Sequence, residues 1–192
     1  MGPGHESGSG LGVLHAVYHI SISSIEPPPF RRAAFVDMHH VWHIVYHAYS
    51  AYIPLLGRTP PTFLEDFDGH IAARNLWLLD KPDGINAMLV LTPCADHLMI
   101  QALCVNPECQ GQGLGRTALA FAEQQARELG YDELRLYTNS KMLRNLRIYR
   151  LWGFRETHRE SYAWGKRVHM RKLLVKPKLF KLRRQAELLA AA

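Results

Sequence analysis

Nowhere does this 192-residue chain hold the roughly 18 consecutive apolar residues that a helix needs to cross a bilayer. No membrane partner is therefore expected. Residues 1–10 are rich in Gly and Ser and lack the charged-then-apolar order of a signal peptide. Residues 1–29 read as a leader, partly disordered, ahead of the folded part. Cysteine is scarce: Cys94, Cys104 and Cys109 do not have metal-ligand spacing, and no metal is expected. An odd number of cysteines without an export signal points to reduced thiols and a cytoplasmic setting. Acidic residues are sparse in one region. Between Lys141 and Arg184 only Glu156 and Glu160 stand against fifteen Lys and Arg, within a net charge of +6. Such a block could attract nucleic acid, an acidic partner or a polyphosphate cofactor. A solvated basic face is the plainer reading and is preferred.

What is present suits one domain. Apolar residues make up 47% of the chain, enough for an ordinary core. Leu11 to Ser24 has short apolar alternation and suggests an extra strand; Pro27-Pro28-Pro29 breaks it off. Phe30 to Ala34 reads as a first strand. Asp37 is placed to cap a helix running to about Tyr52, with Met38, Val41, Trp42, Val45, Tyr49 and Tyr52 on one face. Pro60-Pro61 predicts a second helix over Thr62 to Ala73. A hairpin follows (Leu76–Leu79, Ile85–Leu91), then a strand from His97 to Val105. Next come a helix with the stripe Leu114, Ala118, Ala122, Ala126, Leu129 and the stop Gly130, a strand Glu133–Thr138, and a helix Met142–Leu151. A second hairpin spans Phe154–Trp164 and Val168–Val175, and Lys178 to Ala192 forms a basic helical tail. This order predicts a mixed α/β sheet flanked by helices rather than a doubly wound parallel sheet.

Between the His97–Val105 strand and the Leu114 helix lies Gln110-Gly111-Gln112-Gly113-Leu114-Gly115-Arg116. A Gly-rich turn that opens a helix leaves main-chain N–H groups unpaired where the helix dipole favours negative charge. A pyrophosphate can approach it closely, because glycine has no Cβ. A Walker loop would require Gly-Lys-Ser/Thr, but Gly115 is followed by Arg116-Thr117. A dinucleotide fingerprint requires G-x-G-x-x-G after the first strand, and Gly111, Gly113 and Gly115 lack that spacing. What remains is Q-x-x-G-x-G.

That motif, carried by Leu103 to Gly115, resembles the cofactor motif of the GNAT superfamily of acetyl-CoA-dependent N-acetyltransferases. Leu136-Tyr137-Thr138-Asn139, the helix Asn145 to Trp152 with the bend Gly153-Phe154, and Arg167 to Lys172 are similar to its later strand, helix and last strand. The resemblance implies a GNAT domain over residues 30–175, with residues 176–192 as a tail. Its sheet would be central and mostly antiparallel, with one splayed parallel pair. The cosubstrate would be acetyl-CoA and the acceptor a primary amine, preferably of a small molecule, with direct transfer in a ternary complex. A non-catalytic CoA-binding module, or an acetyltransferase for a protein or nucleic-acid-associated substrate, stands as the rival.

The resemblance also implies roles. Gln110, Gly111, Gln112, Gly113, Leu114, Gly115 and Arg116 would hold the pyrophosphate, with Asn145 as a further CoA contact. Val105 would offer main-chain groups to the pantetheine arm and an N–H to the oxyanion. Tyr149 would be the general acid that protonates the leaving thiolate. An alkyl ammonium of pKa about 10.4 resists attack at pH 7 by roughly 4.6 kcal/mol. Many members relieve it of a proton with a Glu on the strand before the loop, but here Gln101 stands at that position. Glu108, His97, water or a more acidic amine remain open as alternatives. His39, His40, His43 and His47 form a sector of the first helix that fits a polar flank, with acceptor lining or a metal as lesser alternatives; Tyr49, Tyr52 and residues 57–61 would border the acceptor. Cys109 could carry an acetyl group in a ping-pong route, which is disfavoured. The tail could pack on a second copy of the chain as a homodimer.

Overall fold

The computed structural model describes residues 30–82, 84–163 and 165–174. The leader, the strand suggested over 11–24 and the helical tail lie outside the described residues. Among the described residues, seven strands form a single sheet in the order β1-β2-β3-β4-β5-β7-β6. They are β1 (Phe30–Arg32), β2 (Leu76–Lys81), β3 (Gly84–Pro93), β4 (Leu98–Val105), β5 (Glu133–Asn139), β6 (Arg155–Tyr162) and β7 (Gly165–Leu173). All neighbours are antiparallel except β4 and β5. The helices are α1 (Met38–Ser50), α2 (Ile53–Leu56), α3 (Phe67–Ala72), α4 (Leu114–Glu128) and α5 (Leu143–Leu151). The expected element order from β2 to β7 is therefore observed.

Each face of the sheet has its own core. On one, Leu89, Leu91, Leu134, Leu136 and Met170 pack against Leu119, Phe121 and Ala122 of α4 and Leu146 of α5. On the other, Leu76, Leu78, Met88 and Val90 pack against Val41, Ile44 and Val45 of α1 and Phe67 and Ile71 of α3. The α4 stripe is buried through Ala126, but Leu129 is 55% exposed because the helix has ended and Gly130 (φ +82°) turns the chain away.

Two local expectations differ. The helix expected over 62–73 is split into a 3-10 turn at Pro61–Leu64 and the short α3. Asp66 makes the break, since its carboxylate caps α3 by accepting from the Gly69 N–H at 2.9 Å. Asp37 does not cap α1. Its carboxylate turns back and accepts from both Nη atoms of Arg31 (2.7 and 2.8 Å) and from the Ala34 N–H (2.8 Å). It thereby ties β1 to the start of α1. The Arg31 hydrogen bonds hold its pKa below the usual carboxylate value, helped by the Ala34 N–H. Its contribution to stability is thus present above the ordinary carboxylate pKa and is lost as pH falls through the depressed one. Asp37→Ala should cost about 1–3 kcal/mol in urea unfolding at pH 7. The gap from wild type should close below about pH 4; a gap that stays constant into acid would refute this account.

One irregularity in β4 shapes the rest. Across from β3, Val90 faces Ala102 while Leu91 faces Ile100, so Gln101 is the extra residue of a bulge. Before it, Leu98 and Ile100 point to the α4 core; after it, Ala102 and Cys104 point to the α1 core. The parallel pairing with β5 runs only over Leu98–Ile100 against Leu134–Leu136. Beyond the bulge the two strands part.

Candidate active site

The gap between β4 and β5 exposes main-chain groups. Asn106 N–H donates to Asn86 O at 2.9 Å, which makes that pair a hydrogen-bonded one in the antiparallel ladder. Pairs alternate, so Val105 opposite Ala87, and Leu103 opposite Leu89, direct their N–H and C=O away from β3. They face the gap that β5 has left. After β4 the chain makes a 3-10 turn (Pro107–Cys109), passes Gly111 (φ +83°) and Gly113 (φ +81°), and enters α4. The left-handed backbone at both positions is why glycine is needed there. The first bond of α4 is Thr117 N–H to Gly113 O at 3.0 Å. The amides of Leu114, Gly115 and Arg116 therefore have no acceptor inside the helix, and the positive end of its dipole lies at the same place.

A cavity of about 350 Å³ opens onto these groups. It is bordered by Leu103, Cys104 and Val105, by Gln110, Gly111, Gly113, Leu114, Gly115 and Arg116, and across the gap by Arg144, Asn145, Tyr149 and Trp152 of α5 and its end. Gln112 is exposed and does not border it. The Arg116 guanidinium lies 5.6 Å from the Trp152 ring. Gln110 Oε1 accepts from Arg144 at 3.2 Å, and Asn145 Oδ1 accepts from the Tyr52 hydroxyl at 3.3 Å.

A second, smaller cavity of about 80 Å³ continues into the gap. Tyr149 and Asn145 border both. Burial raises the Tyr149 phenol well above its usual pKa, with Cys104 and Tyr52 adding to the effect. A side chain so placed stays protonated at neutral pH and can donate. Burial likewise pushes the Cys104 thiol up to about 12, which keeps it inert.

The sequence model of the Acetyltransferase (GNAT) family matches residues 36–154. The chain belongs to this family. The GNAT match shows an acyltransferase, and the family draws its acetyl group from acetyl-CoA. Solved GNAT structures share the fold. The ribosomal-protein-S18-alanine N-acetyltransferase of Escherichia coli is 18% identical, with a TM-score of 0.63 over 78% of this chain and 96% of that one. The paiA N-acetyltransferase of Thermoplasma acidophilum, in complex with coenzyme A, is 16% identical with a TM-score of 0.62 over 75% and 97%. The yncA structure of Salmonella typhimurium, with its cofactor acetyl-CoA, is 19% identical with a TM-score of 0.58 over 78% and 95%. No curated protein sequence matches this one.

Several other sequence candidates fall away from this GNAT site. His97 is buried at the far end of β4, about 27 Å of strand from Val105, with Nδ1 2.6 Å from Asp96. Glu108 is exposed and borders neither cavity. The four histidines of α1 are exposed and likewise border neither, as expected of a polar flank. By contrast Cys109 and Tyr52 border the larger cavity, Pro60 and Pro61 the smaller, and Tyr49 both. Some of the block's cations are paired: Arg159 with Glu156 (2.5 Å), Arg150 with Glu156 (3.4 Å), Arg167 with Glu160 (2.8 Å), and Lys172 with Glu123.

Sequence reasoning missed what surrounds Gln101. Its amide nitrogen donates to the Tyr137 hydroxyl at 3.1 Å and reaches Glu65 Oε1 at 3.5 Å. Glu65 in turn lies 2.9 Å from Nε2 of His70, whose Nδ1 is 3.0 Å from Asn75 Oδ1. Reading residues 62–73 as one helix hid Glu65; the Pro60-Pro61 start and the Asp66 cap were the available signal for a bend there. His158, Glu160 and His169 also cluster, on β6 and β7, with ligand atoms within 4.8 Å of one another. The Arg167 guanidinium on Glu160 already supplies the positive charge that a metal ion would bring.

Proposed function

We propose that this GNAT domain moves the acetyl group of acetyl-CoA to a primary amine, by direct attack within a ternary complex. The observation that carries the proposal is the parting of β4 and β5. It turns Val105 main-chain groups into a cavity that also receives the α4 amides and Tyr149. In this reading the amides of Gly111 to Arg116, with the Arg116 side chain, bind the pyrophosphate. Gln110 and Asn145 border the arm, the Val105 N–H steadies the carbonyl oxygen as it gains charge, and Tyr149 protonates the departing sulfur. Gln112 faces solvent and contributes only its amide.

The acceptor enters through the smaller cavity. At about 80 Å³ it has room for a slender amine arm, and we take a small-molecule amine as the first acceptor to test. The Escherichia coli neighbour is named for a protein substrate, so peptides belong in the test beside small amines. Thiol release from acetyl-CoA should be measured with a panel of alkyl diamines, amino sugars and peptides with free N-termini. Turnover is expected with at least one small amine. A folded protein that takes up acetyl-CoA but transfers to nothing in the panel would favour the binding-module reading instead.

A further inference from the structure

The acceptor amine needs a proton acceptor, and the strand position that supplies one in many relatives holds Gln101, which cannot serve. At pH 7 only on the order of one alkyl amine in a few thousand is unprotonated. Among the described residues, Glu65 is the one carboxylate bordering either cavity. It shares the wall of the smaller cavity with Tyr149, the group placed to protonate the sulfur. Its surroundings fix it in place. The Gln101 amide approaches Oε1 from the β4 bulge, and His70 holds the same oxygen from α3. Asn75, buried at the start of β2, fixes the other side of the imidazole. Glu65 is itself mostly buried, with 24% of its side chain exposed. The usual strand carboxylate has in effect been replaced by one brought in from the loop between α2 and α3, and Gln101 has become the donor that holds it.

We propose that Glu65 is the catalytic base of this acetyltransferase, taking the proton of the acceptor ammonium in the smaller cavity, with Gln101 and His70 as positioning residues. An N–H bond of the ammonium breaks, its electron pair stays on nitrogen for the attack, and an O–H bond forms on Glu65. Two protons leave the nitrogen over the whole reaction. One ends on the sulfur by way of Tyr149, and the other passes from the partly exposed Glu65 carboxyl to solvent. The proposal rests on the acetyltransferase reading of the same site.

The test uses the best alkyl amine of the panel and its β,β-difluorinated analogue, which has nearly the same shape but a large unprotonated fraction at pH 7. Glu65→Gln should lower kcat/KM for the parent amine by about 10²–10⁴-fold and leave the analogue near its wild-type value. Raising the pH should restore the parent's rate in the variant more than in wild type. Acetyl-CoA affinity should not move, because Glu65 does not border the larger cavity. Equal losses for parent and analogue would mean that Glu65 only shapes the pocket, and no loss would mean that water or another group takes the proton; either overturns the proposal. If Glu65→Gln does not fold, the same parent-to-analogue ratio is read in Glu65→Asp, where the shortened arm should penalise the parent selectively. Wild-type protein that binds acetyl-CoA but acetylates no amine would overturn the acetyltransferase reading and this base with it. Normal wild-type turnover with an unaffected variant would overturn only the base.

Discussion

Tyr149→Phe should lower kcat for acetyl transfer by about 10²–10⁴-fold, the usual range for a positioned general acid, while acetyl-CoA affinity stays close to wild type. The expectation follows from where the phenol sits. The ring packs edge-on against Phe154, with centroids 6.0 Å apart, and phenylalanine keeps that contact. Only the hydroxyl is lost, from a residue that borders both cavities. Burial keeps the group protonated beyond the pH at which an exposed tyrosine ionises. The wild-type rate should therefore show no loss of the acid form up to about pH 10, and any alkaline fall should lie above that. Stopped-flow thiol release with saturating amine and acetyl-CoA is the measurement. A variant that retains wild-type kcat would mean that the sulfur takes its proton from water and would remove Tyr149 from the mechanism. A variant that loses affinity instead would make Tyr149 a binding group.

Much of this arrangement is legible in the letters because local rules govern it. Gly111 and Gly113 must occupy left-handed backbone, and the apolar period of α4 begins immediately after them; strand, turn and helix follow from that. The order of the later elements follows from equally local signals, such as Gly130 and Gly153, which both adopt positive φ where their helices stop. What stays hidden depends on partners distant in sequence. Asp37 has the spacing of a cap, yet Arg31 and the Ala34 N–H outcompete the helix end for its carboxylate. The β4 bulge leaves no mark in the sequence: Leu98, Ile100, Ala102 and Cys104 keep perfect alternation, but the faces exchange at Gln101. Glu65 reaches the site only because that bulge and the bend before Asp66 bring two segments 36 residues apart within contact of each other. A pattern read along the chain cannot contain such a contact.

Gly113→Val should weaken acetyl-CoA binding by at least about tenfold, or 1.4 kcal/mol, and Gly130→Val provides the comparison that isolates the cause. Both glycines hold left-handed backbone, at φ +81° and +82°, and neither would bring a Cβ within 4 Å of another group. The substitutions therefore carry the same local penalty, on the order of 1–2 kcal/mol and more for a β-branched side chain. They lie beyond opposite ends of α4, whose 15 residues span about 22 Å. At Gly130 the strain can be relieved only by loosening the helix end, which lies away from the cavity. At Gly113 relief requires φ to become negative, and that rotation swings the amides of Leu114, Gly115 and Arg116 off the point where they converge. Both variants should lose melting temperature by similar amounts, while calorimetric titration should find the affinity loss in Gly113→Val alone. Equal affinities in the two variants would show that the amides ahead of α4 do not carry the phosphate, because their geometry would then have changed without consequence.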